Sequence, residues 1–137
     1  MAQEKIFENK VKRYLESIGC YNFGTPNHLL KNPIGYMEKR WGGGQFSKTG
    51  LPDMHIVING ISVEIELKAP NGKPSAMQLK NLSMIKDCGC HGFILVENQS
   101  TVNKIKTYIK NNYPQYQNVD VIDFDNFKVF LTNMLTL

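Results

Sequence analysis

The chain has 137 residues, 42% hydrophobic and 20% charged, with a formal net charge of +4. That length suits one domain with a real core and is short for two. No apolar run approaches a membrane span and no signal-peptide core opens the chain, so the expectation is an intracellular protein without a membrane partner. The mild positive balance favours a polyanionic partner. In the absence of long Lys/Arg runs, that contact would come from the folded surface.

Residues 4–18 are predicted to be an amphipathic helix. Phe7, Val11, Tyr14, Leu15 and Ile18 recur at helical spacing and Gly19 supplies the stop. Glu8 sits at the edge of that apolar stripe, where it either looks inward or pairs with Lys5 or Lys12. Residues 21–49 are irregular, with a strand expected near Tyr36–Trp41 and a glycine-rich loop after it. In that stretch Lys39, Arg40, Trp41 and Lys48 mix positive charge with an aromatic face, a combination suited to phosphate contact and base stacking. Trp41 in the core is the competing reading.

Met54–Ile58 and Ile61–Lys68 are rich in Ile and Val and are separated by Asn59-Gly60, a strong type I′ hairpin signal. Asn71–Pro74 turns the chain, and Ser75-x-x-Gln78 has capping-box spacing for a helix running to about Asp87. The helix amide and the site beyond it compete for Gln78, and both cannot be fully served. Gly92–Glu97 reads as a buried strand. Helix 101–112, an apolar strand at 119–124 and a last helix at 126–135 follow, completing the core or making a dimer contact. Cys20, Cys88 and Cys90 are an odd set that argues for reduced thiols in a cytosol. Cys88-Gly89-Cys90 is too tight for a common zinc site and is expected to be structural and partly buried.

The hairpin concentrates the chemistry. With Asn59-Gly60 as the loop, Ile58 pairs with Ile61, His55 lies opposite Glu64 and Asp53 lies opposite Glu66. Strand alternation puts Lys68 on the face of Glu66, while Val63, Ile65 and Leu67 point away. Two carboxylates and an ammonium therefore converge at the open end of the hairpin. Adjacent carboxylates call for a compensating cation, and a hard ion such as Mg²⁺ takes oxygen ligands and leaves room for substrate phosphate. The chemistry implied is metal-assisted phosphodiester hydrolysis. A solvated outer strand face is the bland alternative for Glu-x-Lys alone. Glu64 is assigned to a cross-strand pair with His55.

Gly50-Leu51-Pro52-Asp53, then Glu66-Leu67-Lys68-Ala69-Pro70, then Gln78, resemble the PD-(D/E)xK nuclease superfamily. Within it they look most like the virus-type replication-repair nuclease domain, VRR-NUC, in its small stand-alone phage form. The resemblance covers about residues 4–97. A charged Glu64, where the family is normally apolar, departs from it, and residues 98–137 have no counterpart. The resemblance implies an α/β fold with a restriction-endonuclease-like core, a central mixed sheet flanked by helices. It implies Asp53, Glu66, the Leu67 backbone carbonyl and Glu8 as ligands of Mg²⁺ or Mn²⁺. Lys68 would be the catalytic lysine and Gln78 would face the site.

These readings combine into a single nuclease domain over residues 1–137. The expected activity is a metal-dependent DNA endonuclease selective for branched DNA such as Holliday junctions. It would act as a homodimer in the cytoplasm of a bacterial host. The alternatives are a restriction-type or nicking duplex endonuclease, and a DNA-binding module of the same fold that no longer cuts.

Overall fold

The computed structural model describes residues 2–28, 30–40 and 50–136. The chain forms α1 (Ala2–Ser17), β1 (Cys20–Asn22), β2 (Gly35–Lys39), β3 (Met54–Ile58), β4 (Ile61–Leu67), α2 (Ala76–Asp87), β5 (His91–Val96), α3 (Gln99–Asn112), a 3₁₀ turn (Pro114–Tyr116), β6 (Asp120–Asp123) and α4 (Phe124–Leu135). The architecture is α/β, one six-stranded mixed sheet in the order β1-β2-β3-β4-β5-β6. The strands β2, β3 and β4 are antiparallel, whereas β1 joins β2, β5 joins β4 and β6 joins β5 in parallel.

The sheet is covered on both faces. On one, Phe7, Val11 and Leu15 of α1 and Phe127, Leu131 and Met134 of α4 meet Met54, Ile56, Val63, Ile65 and Leu67. On the other, Leu79 and Leu82 of α2 and Val102, Ile105 and Ile109 of α3 meet Ile94, Val96 and Val121. Strand β5 lies between these layers, which is why Gly92 to Val96 are all buried and the segment is continuously apolar. Residues beyond Asn98 contribute to both layers and add the edge strand β6.

The hairpin has the expected register: Ile58 pairs with Ile61 and His55 with Glu64. Asn59 and Gly60 take φ of 52° and 79°, the left-handed values a type I′ turn requires. Helix α2 carries its expected capping box at Ser75 and Gln78. Helix α4 begins two residues before its expected start because Asp123 caps it, accepting from the Asn126 N–H at 3.2 Å.

Strand β1 is not visible in the sequence. Three residues carry no period, and their partner β2 lies across a proline-punctuated loop, so the pairing is a tertiary event. Cys88 and Cys90 are exposed rather than partly buried, because α2 ends at the surface; only Cys20 is buried.

Gly35 marks a close approach between β2 and β3. A Cβ there would lie 1.8 Å from the Val57 carbonyl oxygen. Gly35→Ala is expected to cost about 1–3 kcal/mol, read from urea unfolding. An unchanged midpoint would mean that the two strands pair differently. Among the described residues no helix is long and apolar enough to cross a membrane.

Candidate active site

The β3–β4 ladder runs to Met54 and Ile65, and one further step brings Asp53 alongside Glu66. Asp53 Oδ2 accepts from the Leu67 N–H at 2.9 Å, so the Asp53 carboxylate is pinned to the backbone of β4. The Arg40 N–H donates to the Asp53 carbonyl at 2.6 Å, which ties the turn to β2. Glu66 is only 2% exposed although it belongs to a strand whose neighbouring polar positions, Ser62 and Glu64, are partly exposed. Its Oε2 accepts from Gln78 Nε2 at 3.1 Å and lies 3.6 Å from Lys68 Nζ. Its Oε1 is buried and has no hydrogen-bond partner.

Burial, and then the Asp53 carboxylate, push the Glu66 carboxyl up to about 8, against the opposing pull of Lys68. An acid in this position resists ionisation until a cation arrives. The hard oxygen donors of Asp53 and Glu66, one of them orphaned, fit a small divalent ion. No third carboxylate joins them: among the described residues no group of three or more His, Cys, Asp or Glu side chains is placed to hold a metal. Lys68 also lines a small cavity of about 110 Å³ with Ile6, Phe7 and Glu97.

Gln78 corrects an expectation. Its spacing sets cap and site in competition for one side chain, but the amide serves both because its two ends differ. Oε1 accepts from the Ser75 N–H at 3.0 Å while Nε2 donates to Glu66. The cap fixes which end is the oxygen, since the Ser75 N–H only donates.

Glu8 is 3% exposed and looks inward, yet its partners are cations. Lys5 and Lys12 lie 2.9 Å from Oε2, and Lys39 pairs with Oε1. Burial works against its charge, but hydrogen bonds from Lys39, Lys12 and Lys5 prevail and lower the carboxyl to about 2. The Lys5 and Lys12 contacts follow from i−3 and i+4 spacing, whereas the Lys39 contact needs α1 to lie against β2.

Glu8 therefore stabilises the folded state above pH 4.5, and that contribution disappears as pH falls toward 2. Glu8→Gln should flatten the acid limb, losing about 2–3 kcal/mol less than wild type between pH 6 and pH 2 in urea titrations. Parallel acid limbs would show that the lysine cage does not hold in solution.

Of the other expected contacts, His55 Nδ1 and Glu64 Oε2 are 2.6 Å apart, as the cross-strand reading requires. Arg40, read from sequence as a phosphate ligand, also binds Glu64 at 2.6 Å and the Pro52 carbonyl at 3.1 Å, bracing the turn before Asp53. Nothing in the order of residues joins position 40 to position 64, so this bracing is a tertiary contact. Trp41 and Lys48 lie outside the described residues.

Comparison with known proteins does not place the chain: no family model, no curated protein and no solved structure matches it.

Proposed function

We propose that the chain is a Mg²⁺- or Mn²⁺-dependent DNA endonuclease with a PD-(D/E)xK core. The observation that carries this reading is the buried Glu66 carboxylate beside Asp53 and Lys68, with Glu66 Oε1 left without a partner. In purely structural use such a pair is costly: one carboxylate is desolvated next to another and an oxygen goes unsatisfied. A site that gathers acid, acid and ammonium at a strand end is instead suited to a phosphodiester.

Asp53 and Glu66 would hold the ion, which when bound lowers the pKa of a coordinated water and stabilises negative charge on phosphoryl oxygen. Gln78 orients Glu66 through its Nε2, and the capping box holds Gln78 in turn. Lys68 places a fixed positive charge beside Glu66, where it orients the water or steadies the developing phosphorane. The expected products are a 5′-phosphate and a 3′-hydroxyl. The absence of a helix-turn-helix or zinc-finger motif in the sequence favours structure-selective cleavage, with a homodimer supplying two sites for a branched substrate.

The test is cleavage of a four-way junction, a flap, plain duplex and single strand in Mg²⁺ or Mn²⁺, with EDTA as control. Paired cuts in the junction that vanish with EDTA support this reading. Cuts in plain duplex alone would move the assignment to a restriction-type or nicking enzyme. Binding to the same DNAs without any cleavage would leave a non-catalytic module.

A further inference from the structure

A cleft of about 490 Å³ lies between α1, β2 and the turn after β1, and Lys5, Lys12 and Lys39, the partners of Glu8, line it. Lys5, Lys12 and Lys39 converge there on one carboxylate. One negative charge cannot neutralise three ammonium groups, and the groups repel one another at this separation. Arg13 adds to the positive side; Glu16 and Glu38 oppose it and leave the cleft net positive. A second anion shared among the lysines would relieve that repulsion.

Phe23 lines the same cleft and is 57% exposed, an unusual place for a large aromatic ring. The ring is not loose. It makes edge-to-face contacts with Tyr21 and Tyr36 at centroid separations of 5.1 and 5.3 Å. Its backbone N–H donates to the Met37 carbonyl at 3.2 Å, and Asn22 Oδ1 accepts from the Gly24 and Thr25 N–H groups in the following turn. A fixed, exposed aromatic face beside clustered ammonium groups has the two elements that single-stranded nucleic acid requires.

We propose that this cleft seats an unpaired stretch of nucleic-acid strand, a backbone phosphate on Lys5, Lys12 and Lys39 and the neighbouring base stacked on Phe23. The inference deepens the endonuclease reading and rests on it only for identifying the strand as part of the DNA substrate. Lys39 pairs across the sheet with Met54, the residue after Asp53, so one edge of the cleft rests on the strand next to the one that Asp53 leads. Cleavage would then favour substrates with an unpaired strand next to the scissile phosphate.

The experiment is fluorescence anisotropy in EDTA with a labelled 15-nucleotide oligothymidylate and with an abasic backbone of equal length. Phe23→Ala, Phe23→Trp and Lys12→Ala proteins are compared with wild type, and Lys110→Ala on α3 is the control. Phe23→Ala should weaken oligothymidylate binding roughly tenfold, leaving the abasic backbone unaffected, and Phe23→Trp should retain binding. Lys12→Ala should weaken both ligands and reduce the salt slope by about 0.7. Equal loss on both ligands for Phe23→Ala, or wild-type binding by both alanine variants, overturns the proposal. Because no step requires cleavage, failure of the nuclease reading and failure of this one are separate results.

Discussion

A Glu66→Gln protein should be more stable than wild type in EDTA at high pH and unable to cleave DNA. Glu66 holds its proton more tightly when folded than when unfolded, since its carboxyl is raised from 4.5 to about 8. Between those values the folded state binds the extra proton, so wild-type stability falls as pH rises through that window. The glutamine amide stays neutral throughout and can offer an N–H where Oε1 now lacks a partner. The advantage of the variant is expected to be absent at pH 4 and to reach about 4–5 kcal/mol near pH 9, measured as paired urea unfolding curves. Adding Mg²⁺ should raise the Tm of wild type and leave that of the variant unchanged. Equal pH dependence in the two proteins would show that Glu66 is not the buried acid described here. A stabilising change that abolishes activity is the usual mark of a site held strained for function.

Lys68→Ala should lower the cleavage rate by about 10²–10⁴-fold, the range for loss of one preorganised charge or proton-transfer group at a reacting phosphate. DNA binding in EDTA should stay within about threefold of wild type, because one charge among sixteen Lys and Arg contributes little to total affinity. Single-turnover cleavage, set beside anisotropy on the same junction, separates the two. Cleavage at wild-type rate would remove Lys68 from the mechanism; loss of binding and cleavage together would make it a DNA contact instead.

Glu66 and Glu8 show where sequence reasoning succeeds and where it stops. The sequence points to Glu66 by its register opposite Asp53 and to Glu8 by its place at the edge of an apolar stripe. For Glu66 the partner Asp53 was legible, because a two-residue loop sets the register and register sets who faces whom. Its depth was not, since Glu66 is buried by β5 pairing alongside β4 and by Gln78 reaching over from α2. For Glu8 the resemblance implies a metal ligand, and the structure shows three ammonium groups around it. A divalent ion at Glu8 would have to displace those lysines. The deciding contact, from Lys39, spans thirty-one positions of sequence.

Arg40 carries the same lesson. A cation beside an aromatic residue reads as a nucleic-acid contact, yet its guanidinium is engaged by Glu64 and the Pro52 carbonyl. Phe23 carries no signal in the sequence, because an isolated aromatic gives no sign of exposure. Its role as a candidate platform depends on β1 joining β2 in parallel across the irregular loop.

The sequence by itself determined the hairpin, its Asn59-Gly60 turn, and the meeting of Asp53, Glu66 and Lys68, because turn chemistry and strand alternation act over a few residues. It also determined the helices whose apolar positions repeat at helical spacing and whose caps lie one turn away. Only the tertiary structure decided the desolvation of Glu66, the lysine cage around Glu8, the double service of Gln78 and the cleft beneath Phe23. Each of these depends on two elements distant in the chain coming to share a dry or crowded space. Burial and the sum of charges within it are properties of that space, and no local pattern of residues encodes them.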